Sequence, residues 1–350
     1  MIEFNDFLRK AIELKASDIH ITAGIPPTLR INGVLTPVSK ILLSKTDTEK
    51  IVRNIMSDKE YEDFIQIGEL DFSYNISKLA RFRVNAFFQQ GKHAMVMRVI
   101  PITPPNLDDL KLPYVLKKFT NLLSGLILVT GPAGSGKSTT LAAMINEINI
   151  RKRRHIITLE DPIEFVHENK MSILNQREIG NDTKSYTNGL RAALREDPDV
   201  IFIGEMRDLE TISIAITAAE TGHLVLSTVH TLGAAKTVDR IVDVFPPHQQ
   251  NQIKLQLSNV IEGIVSQQLV QKNDGSGRVC AMEIMVATPA IRNLIREGKT
   301  HQIDSIIQTG RMSNMITMDS SLEELYKNGL ISLEEAIKHA TNKNIFENTL

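Results

Sequence analysis

Residues 126–140 read LILVTGPAGSGKSTT, an apolar run entering a glycine-rich loop that closes on Gly136, Lys137 and Ser138. From Gly131 to Ser138 the loop satisfies the pattern G-x-x-x-x-G-K-S/T in the context that pattern requires, a strand before it and a helix after it. Glycines let successive backbone N–H groups turn inward around a phosphate, and the helix that starts here adds its positive end. Lys137 suits the β- and γ-phosphates and Ser138 suits Mg²⁺. Gly131, Ala133, Gly134, Ser135, Gly136 and Thr139 complete the expected cradle. ATP with Mg²⁺ is the expected ligand.

Downstream, short apolar strands alternate with longer helical stretches. The strands are LILVT (126–130), HIITLE (155–160), VIFIGE (200–205) and LVLSTV (224–229). Such alternation predicts an α/β fold with a mostly parallel sheet covered on both sides. The second strand runs into Glu160-Asp161-Pro162-Ile163-Glu164 and the third into Gly204-Glu205-Met206-Arg207-Asp208. Carboxylates at the C-terminal edge of such a sheet face the ligand crevice. Glu205 is therefore the first candidate to position or deprotonate an attacking water. His223 and His230 bracket the fourth strand, seven residues apart at opposite ends. One metal cannot easily take both, and with no cysteine nearby zinc is not expected. His230 stands at the end that shares the γ-phosphate crevice.

Upstream, residues 1–100 predict a small α/β domain. It has a first helix through Phe4, Phe7, Leu8, Ile12 and Leu14, then a hairpin turning at Asn32-Gly33. A helical stretch, DTEKIVRNIMSDKEYEDFI, precedes a second hairpin turning near Gln90-Gly91. Arg81 and Arg83 alternate with Phe82 and Val84, which puts both guanidinium groups on one polar strand face. Residues 101–113 hold four prolines and no periodicity, so they read as a linker. Residues 114–288 form the expected core, and 289–350 read as helices with turns at Gly298, Gly310 and Gly329. The basic run Arg151 to Arg154 suits the negative end of a helix.

The chain has 350 residues, with 40 Lys plus Arg against 41 Asp plus Glu. That neutrality argues against a nucleic-acid motor, which carries a basic face. Cys280 is the only cysteine, which excludes disulfides within the chain and suits a reducing cytoplasm. No signal-peptide apolar region opens the sequence. No uncharged apolar run approaches the roughly 18 residues of a membrane helix. The expectation is a soluble, intracellular protein.

Together these pieces resemble the secretion-type ATPase superfamily, the motors of type II and type IV secretion and of type IV pili. LEDPIE is similar to its aspartate box, and LRxDPDxIxxGEMRD is matched from Leu194 to Asp208. TAAxTGHLVLSTxHT, from Thr217 to Thr231, resembles its histidine box, and DRIVDVFPP (239–247) continues the likeness. Within the superfamily the chain looks most like the pilus retraction ATPases (the PilT family), which carry one small domain before the motor core. The stretch from Ala290 to Glu297 resembles their AIRNLIRE motif.

The resemblance implies a homohexameric ring of subunits, each with a PAS-like N-terminal domain and a RecA-like ATPase core. ATP on the core would be covered by the neighbouring subunit's N-terminal domain. Glu205 would be catalytic, Glu164 a second acid near Mg²⁺, and His230 a γ-phosphate sensor, with His223 a further candidate. Arg81, Arg83 and Arg98 would reach phosphates across the interface, while Arg195, Arg207 and Arg240 would serve the core or its interfaces. Implied partners are an inner-membrane pilus platform protein and a second retraction ATPase, with no nucleic acid. The implied location is the cytoplasm, peripheral to the inner face of the membrane. An accessory retraction paralogue, an extension or type II secretion motor, and a RecA-like nucleic-acid translocase remain alternatives.

Overall fold

A computed structural model describes residues 4–31, 33–76, 80–100 and 104–347. The chain divides into two compact units, Met1–Thr103 and Pro104–Leu350.

In the first unit, α1 (Phe4–Glu13) precedes strands β1 (Asp18–Thr22), β2 (Thr28–Ile31) and β3 (Val34–Pro37). Helices α2 (Lys45–Ile55) and α3 (Asp58–Ile67) lead to β4 (Glu69–Ile76), β5 (Ala80–Gln89) and β6 (Lys92–Ile100). The six strands are ordered β3-β2-β1-β6-β5-β4, each pair antiparallel. Alternation decides the faces: Ile19, Ile21, Phe82, Val84, Met95 and Met97 are buried against Leu8, Val52 and Phe64 of the helices. The helical stretch expected after the first hairpin is two helices. Ser57 accepts the Glu60 N–H and the Glu60 carboxylate accepts the Ser57 N–H, a capping box that starts a new helix. The β5–β6 turn lies at Gln90 and Gly91, both at positive φ (51° and 68°), as a primed hairpin turn requires. Asn32, in the other expected turn, lies outside the described residues.

The second unit opens with α4 (Val115–Phe119), β7 (Gly125–Thr130), α5 (Lys137–Arg151), β8 (His155–Glu160) and β9 (Ile173–Glu178). Helix α6 (Tyr186–Ala193), β10 (Val200–Ile203), α7 (Leu209–Glu220), β11 (Leu224–Val229), α8 (Ala234–Asp243) and α9 (Pro247–Val260) follow. A hairpin of β12 (Ile261–Gln271) and β13 (Arg278–Val286) completes the sheet. The order is β13-β12-β7-β11-β10-β8-β9; β13 alone is antiparallel to its neighbour. Every residue of β7, β10 and β11 is buried, as two-sided coverage demands. Leu126 and Leu128 face the core under α7 to α9, while Ile127 and Val129 face the core under α4 and α5.

Residues 104–113 are less of a free linker than their prolines predict. Leu107 is buried in the core under α5, and Asn146 Nδ2 donates to Asn106 Oδ1 at 2.8 Å. Residues 101–103 lie outside the described residues.

After β13 come α10 (Pro289–Glu297), α11 (Ile303–Thr309), α12 (Met318–Lys327), α13 (Leu333–His339) and α14 (Asn344–Glu347). Ile291, Leu294 and Ile295 form the buried face of α10, and Gly298 closes it at φ 70°. Gly329 also lies at φ 70°, whereas Gly310 does not enter that region and Asn314, at φ 63°, does so instead. Among the described residues, no helix is long and apolar enough to cross a membrane.

Candidate active site

The loop between β7 and α5 folds around its own lysine. Lys137 Nζ donates to the carbonyls of Gly131 and Pro132, both at 2.9 Å. Burial lowers the ammonium's pKa, opposed by the charges of Glu205 and Glu164. Gly131 has no tolerable substitute: φ is 142°, and a Cβ would stand 2.3 Å from the Gln267 carbonyl. The loop is braced from β12. Thr140 Oγ1 donates to Gln267 Oε1 at 3.0 Å, while Gln267 Nε2 donates to the Ser135 carbonyl at 2.7 Å.

Around this loop lies a cavity of about 260 Å³. Lys137 and Ser138 of α5 line it with Glu160 and Glu164 from the end of β8, Glu205 from beyond β10 and His230 from beyond β11. Parallel strands deliver all their C-terminal ends to one edge, so residues far apart in sequence meet. Glu205 is held from two sides, by Arg207 Nε at 2.6 Å and His230 Nε2 at 3.3 Å, both on Oε1. The backbone beneath Glu205 is pinned by Thr228 Oγ1, which donates to the Gly204 carbonyl at 2.6 Å. A second cavity of about 270 Å³ shares Glu205 and His230 and adds Arg207 and Arg240 to its wall.

The acids and bases of the cavity are not equivalent. Glu160 is buried, and burial raises its pKa to about 7 although Thr158 Oγ1 (2.6 Å) and Gln176 Nε2 (3.1 Å) donate to it. Gln176 also receives the His167 backbone N–H at 2.8 Å. The His167 imidazole, on the same cavity wall, is pushed down to about 4 by burial and by Lys170. Glu160, His167, Gln176 and Gln267 were not singled out from sequence. Glu160 lay within the quoted acidic box, but nothing local marks the other three.

Other candidates lie elsewhere. His223 is at the opposite end of β11, its Nδ1 2.9 Å from the Ala218 carbonyl. Six residues of strand separate the two ends by ~20 Å, so it does not reach the cavity. Arg195 is exposed and donates to the Arg191 carbonyl at 2.8 Å. Thr139 is half-buried in the first turn of α5, outside the cavity wall.

In the first unit, Arg83 and Arg98 are register partners on β5 and β6, and Asp18 is the partner of Arg98 on β1. Arg98 Nε lies 2.9 Å from Asp18 Oδ1, and Arg30 Nε lies 3.7 Å from Oδ2. Burial opposes ionisation of Asp18, but Arg98, Ser17 and Arg30 together hold its pKa below the ordinary value. Arg81 donates to Ser73 Oγ at 2.9 Å.

Among the described residues, no three or more His, Cys, Asp or Glu converge on an all-protein metal cage. Nucleotide-bound Mg²⁺ needs only one or two protein oxygens, phosphate and water supplying the rest. The Ser138 hydroxyl and the Glu164 carboxylate, on the cavity wall, fit that need.

The family described as type II/IV secretion system protein matches residues 1–350. The type IV pilus retractation ATPase PilT of Pseudomonas aeruginosa is 48% identical over 339 residues, covering 97% of this chain and 98% of that one. A twitching motility protein of Neisseria gonorrhoeae is 49% identical over 335 residues, 94% of this chain and 90% of its own. The crystal structure of the pilus retraction motor PilT with bound ADP superposes with a TM-score of 0.93. It is 48% identical in sequence and covers 99% of this chain and 100% of that one.

Proposed function

The chain belongs to the type II/IV secretion system protein family, and from that premise we propose that it is an ATP-hydrolysing motor driving type IV pilus retraction. The observation that carries the reading is the meeting of Lys137, Glu205 and His230 in one cavity. The 48% identity with a pilus retraction ATPase along nearly its whole length supports the pilus assignment.

The chemistry follows from the positions. Phosphate oxygens replace the Gly131 and Pro132 carbonyls as partners of the Lys137 ammonium, and the loop's backbone N–H groups turn to the β-phosphate. Ser138 and Glu164 would hold Mg²⁺, and the ion would supply positive charge against the phosphates. Glu205 orients the attacking water and takes its proton, while Arg207 and His230 keep its carboxylate in one rotamer. His230, beside Glu205, reports whether the γ-phosphate is present. The transferring phosphoryl group also needs guanidinium charge, which Arg83 and Arg98 supply from the neighbouring subunit, with Arg81 on the same strand face.

Six subunits form a ring at the inner face of the cytoplasmic membrane, against the pilus platform protein. The work of hydrolysis returns pilin subunits to the membrane.

Steady-state ATPase assays on purified protein, with oligomer mass and added DNA, test the reading. The expected result is Mg²⁺-dependent hydrolysis by a hexamer, indifferent to DNA, with kcat falling at least about 100-fold in Glu205→Gln. Strong stimulation by DNA would replace the pilus motor with a nucleic-acid translocase. Loss of pili on gene deletion, instead of surplus pili, would make it an extension motor.

A further inference from the structure

Three successive residues of β13 touch two distant parts of the second unit. The Met282 N–H donates to Ser321 Oγ of α12 at 3.1 Å. Ile284 pairs with Ile316 in both directions, at 2.8 and 3.2 Å. Glu283 stands between them, and its Oε1 accepts the Ala234 N–H at 2.8 Å. Ala234 is the first residue of α8, four positions after His230.

The loop from Thr231 to Gly233 needs this support. The N-cap of α8 is Gly233, which has no side chain to satisfy the first N–H groups of the helix. The cap comes from the sheet instead. Ser266 Oγ on β12 accepts the Gly233 N–H at 2.9 Å, and Glu283 on β13 takes the Ala234 N–H. Thr237 Oγ1 adds bonds to the Gly233 carbonyl and to Thr231 Oγ1, both at 2.7 Å. Burial raises the Glu283 pKa and Asp304 of α11 and Asp319 of α12 raise it further, while the backbone N–H groups of Ala234 and of Met318, the first residue of α12, oppose the rise. Gly233 lies at φ 94°, where a serine or asparagine would be strained, so the cap is left to side chains from the sheet. One carboxylate thereby meets the first residues of both α8 and α12.

We infer that Glu283 is a positioning residue that fixes the His230 loop and, through the backbone of β13, ties that loop to residues 316–321 of the C-terminal region. The kinetic part rests on the ATPase reading above. The structural part requires only that nucleotide binds.

Two variants separate positioning from bulk stability. Glu283→Met keeps the length of the side chain and removes the acceptor; Glu283→Gln keeps a carbonyl oxygen for Ala234. Glu283→Met is expected to lower kcat about tenfold with the KM for ATP within about twofold, while Glu283→Gln keeps at least about half of kcat. Because Glu283 acts through His230, the double variant His230→Ala/Glu283→Met should be no slower than His230→Ala alone. Equal losses in Glu283→Met and Glu283→Gln, or additive losses in the double variant, would overturn the inference.

Hydrogen exchange on the unaltered chain needs neither a folded variant nor turnover. A non-hydrolysable ATP analogue with Mg²⁺ should slow the amides of residues 231–236 and also those of Met282, Ile284 and residues 316–321. Slowing confined to residues 231–236 would overturn the coupling. A chain that bound the analogue yet hydrolysed no ATP would instead fail the ATPase reading.

Discussion

Glu160 shows how differently one acid of the site behaves from its neighbours. It sits at the end of a buried strand, so the same burial that completes the sheet also raises its pKa from 4.5 to about 7. Between those values the folded chain holds a proton that the unfolded chain has released. Stability therefore falls as pH rises from 4.5 to 7 and is lowest above 7. His167 works the other way: its pKa is depressed from 6.5 to about 4, so its contribution is lost as pH falls through that range. Over their shared window the two slopes oppose each other. Glu160→Gln removes one of them, and melting of nucleotide-free protein should reveal it. The variant should gain ~5 °C or more over the parent at pH 8, with a much smaller gain at pH 5. An equal difference at both pH values would remove burial of a charge as the cause. Glu160 could be read as an acid at a strand end, but its protonation was not legible, because burial is set by Thr158, Gln176 and the cavity wall together.

At the level of elements, the phosphate loop is shaped by a strand far from it in sequence. Gln267 spans from Thr140 to the Ser135 carbonyl, so β12 holds the loop as a bracket. Gln267→Ala removes two buried hydrogen bonds, each worth ~1 kcal/mol net. Nucleotide affinity measured by calorimetry should fall about 10- to 30-fold; unchanged affinity would mean that the loop holds its shape alone. The bracket passes close to the limit of packing elsewhere on the same strand. A Cβ on Gly263 would stand 2.3 Å from the Phe119 ring, so Gly263→Ala should destabilise the second unit by about 1–3 kcal/mol in denaturant unfolding. Strands β7, β8, β10 and β11 were legible as continuous apolar runs. Strand β9 was not, since Ile173 is exposed and Asn175, Gln176 and Arg177 interrupt it. Nor was the break before Ser57, where a capping box overrides a continuous helical pattern.

At the scale of the whole molecule, the reading requires that one subunit complete another's site. Arg83→Ala and Lys137→Ala should each abolish hydrolysis, the first by removing a guanidinium supplied to a neighbour, the second by removing phosphate binding in its own core. Mixed rings containing both variants should recover part of the wild-type rate, because some interfaces then pair an intact Arg83 with an intact Lys137. Mixtures no more active than the separate variants would place Arg83 outside the site. Arg83 is the register neighbour of Arg98, and the Asp18 carboxylate beyond faces the guanidinium groups of Arg98 and Arg30, so arginines outnumber acids along this row of the sheet.

The order of apolar strands, the phosphate loop and the boxes that contain Glu164, Glu205 and His230 were determined by the sequence itself, because each is a local pattern of residue types at fixed spacing. The separation of His223 from His230 followed too, from the rise of a strand. The tertiary structure alone decided that Gln267 braces the loop, that Glu160 and His167 share a buried wall, and that Glu283 caps a helix whose own N-cap is glycine. The Gln267 and Glu283 contacts join residues 49 to 132 positions apart, which only the register of a folded sheet brings within hydrogen-bonding distance, and the burial of Glu160 and His167 depends on the packing of the whole cavity wall.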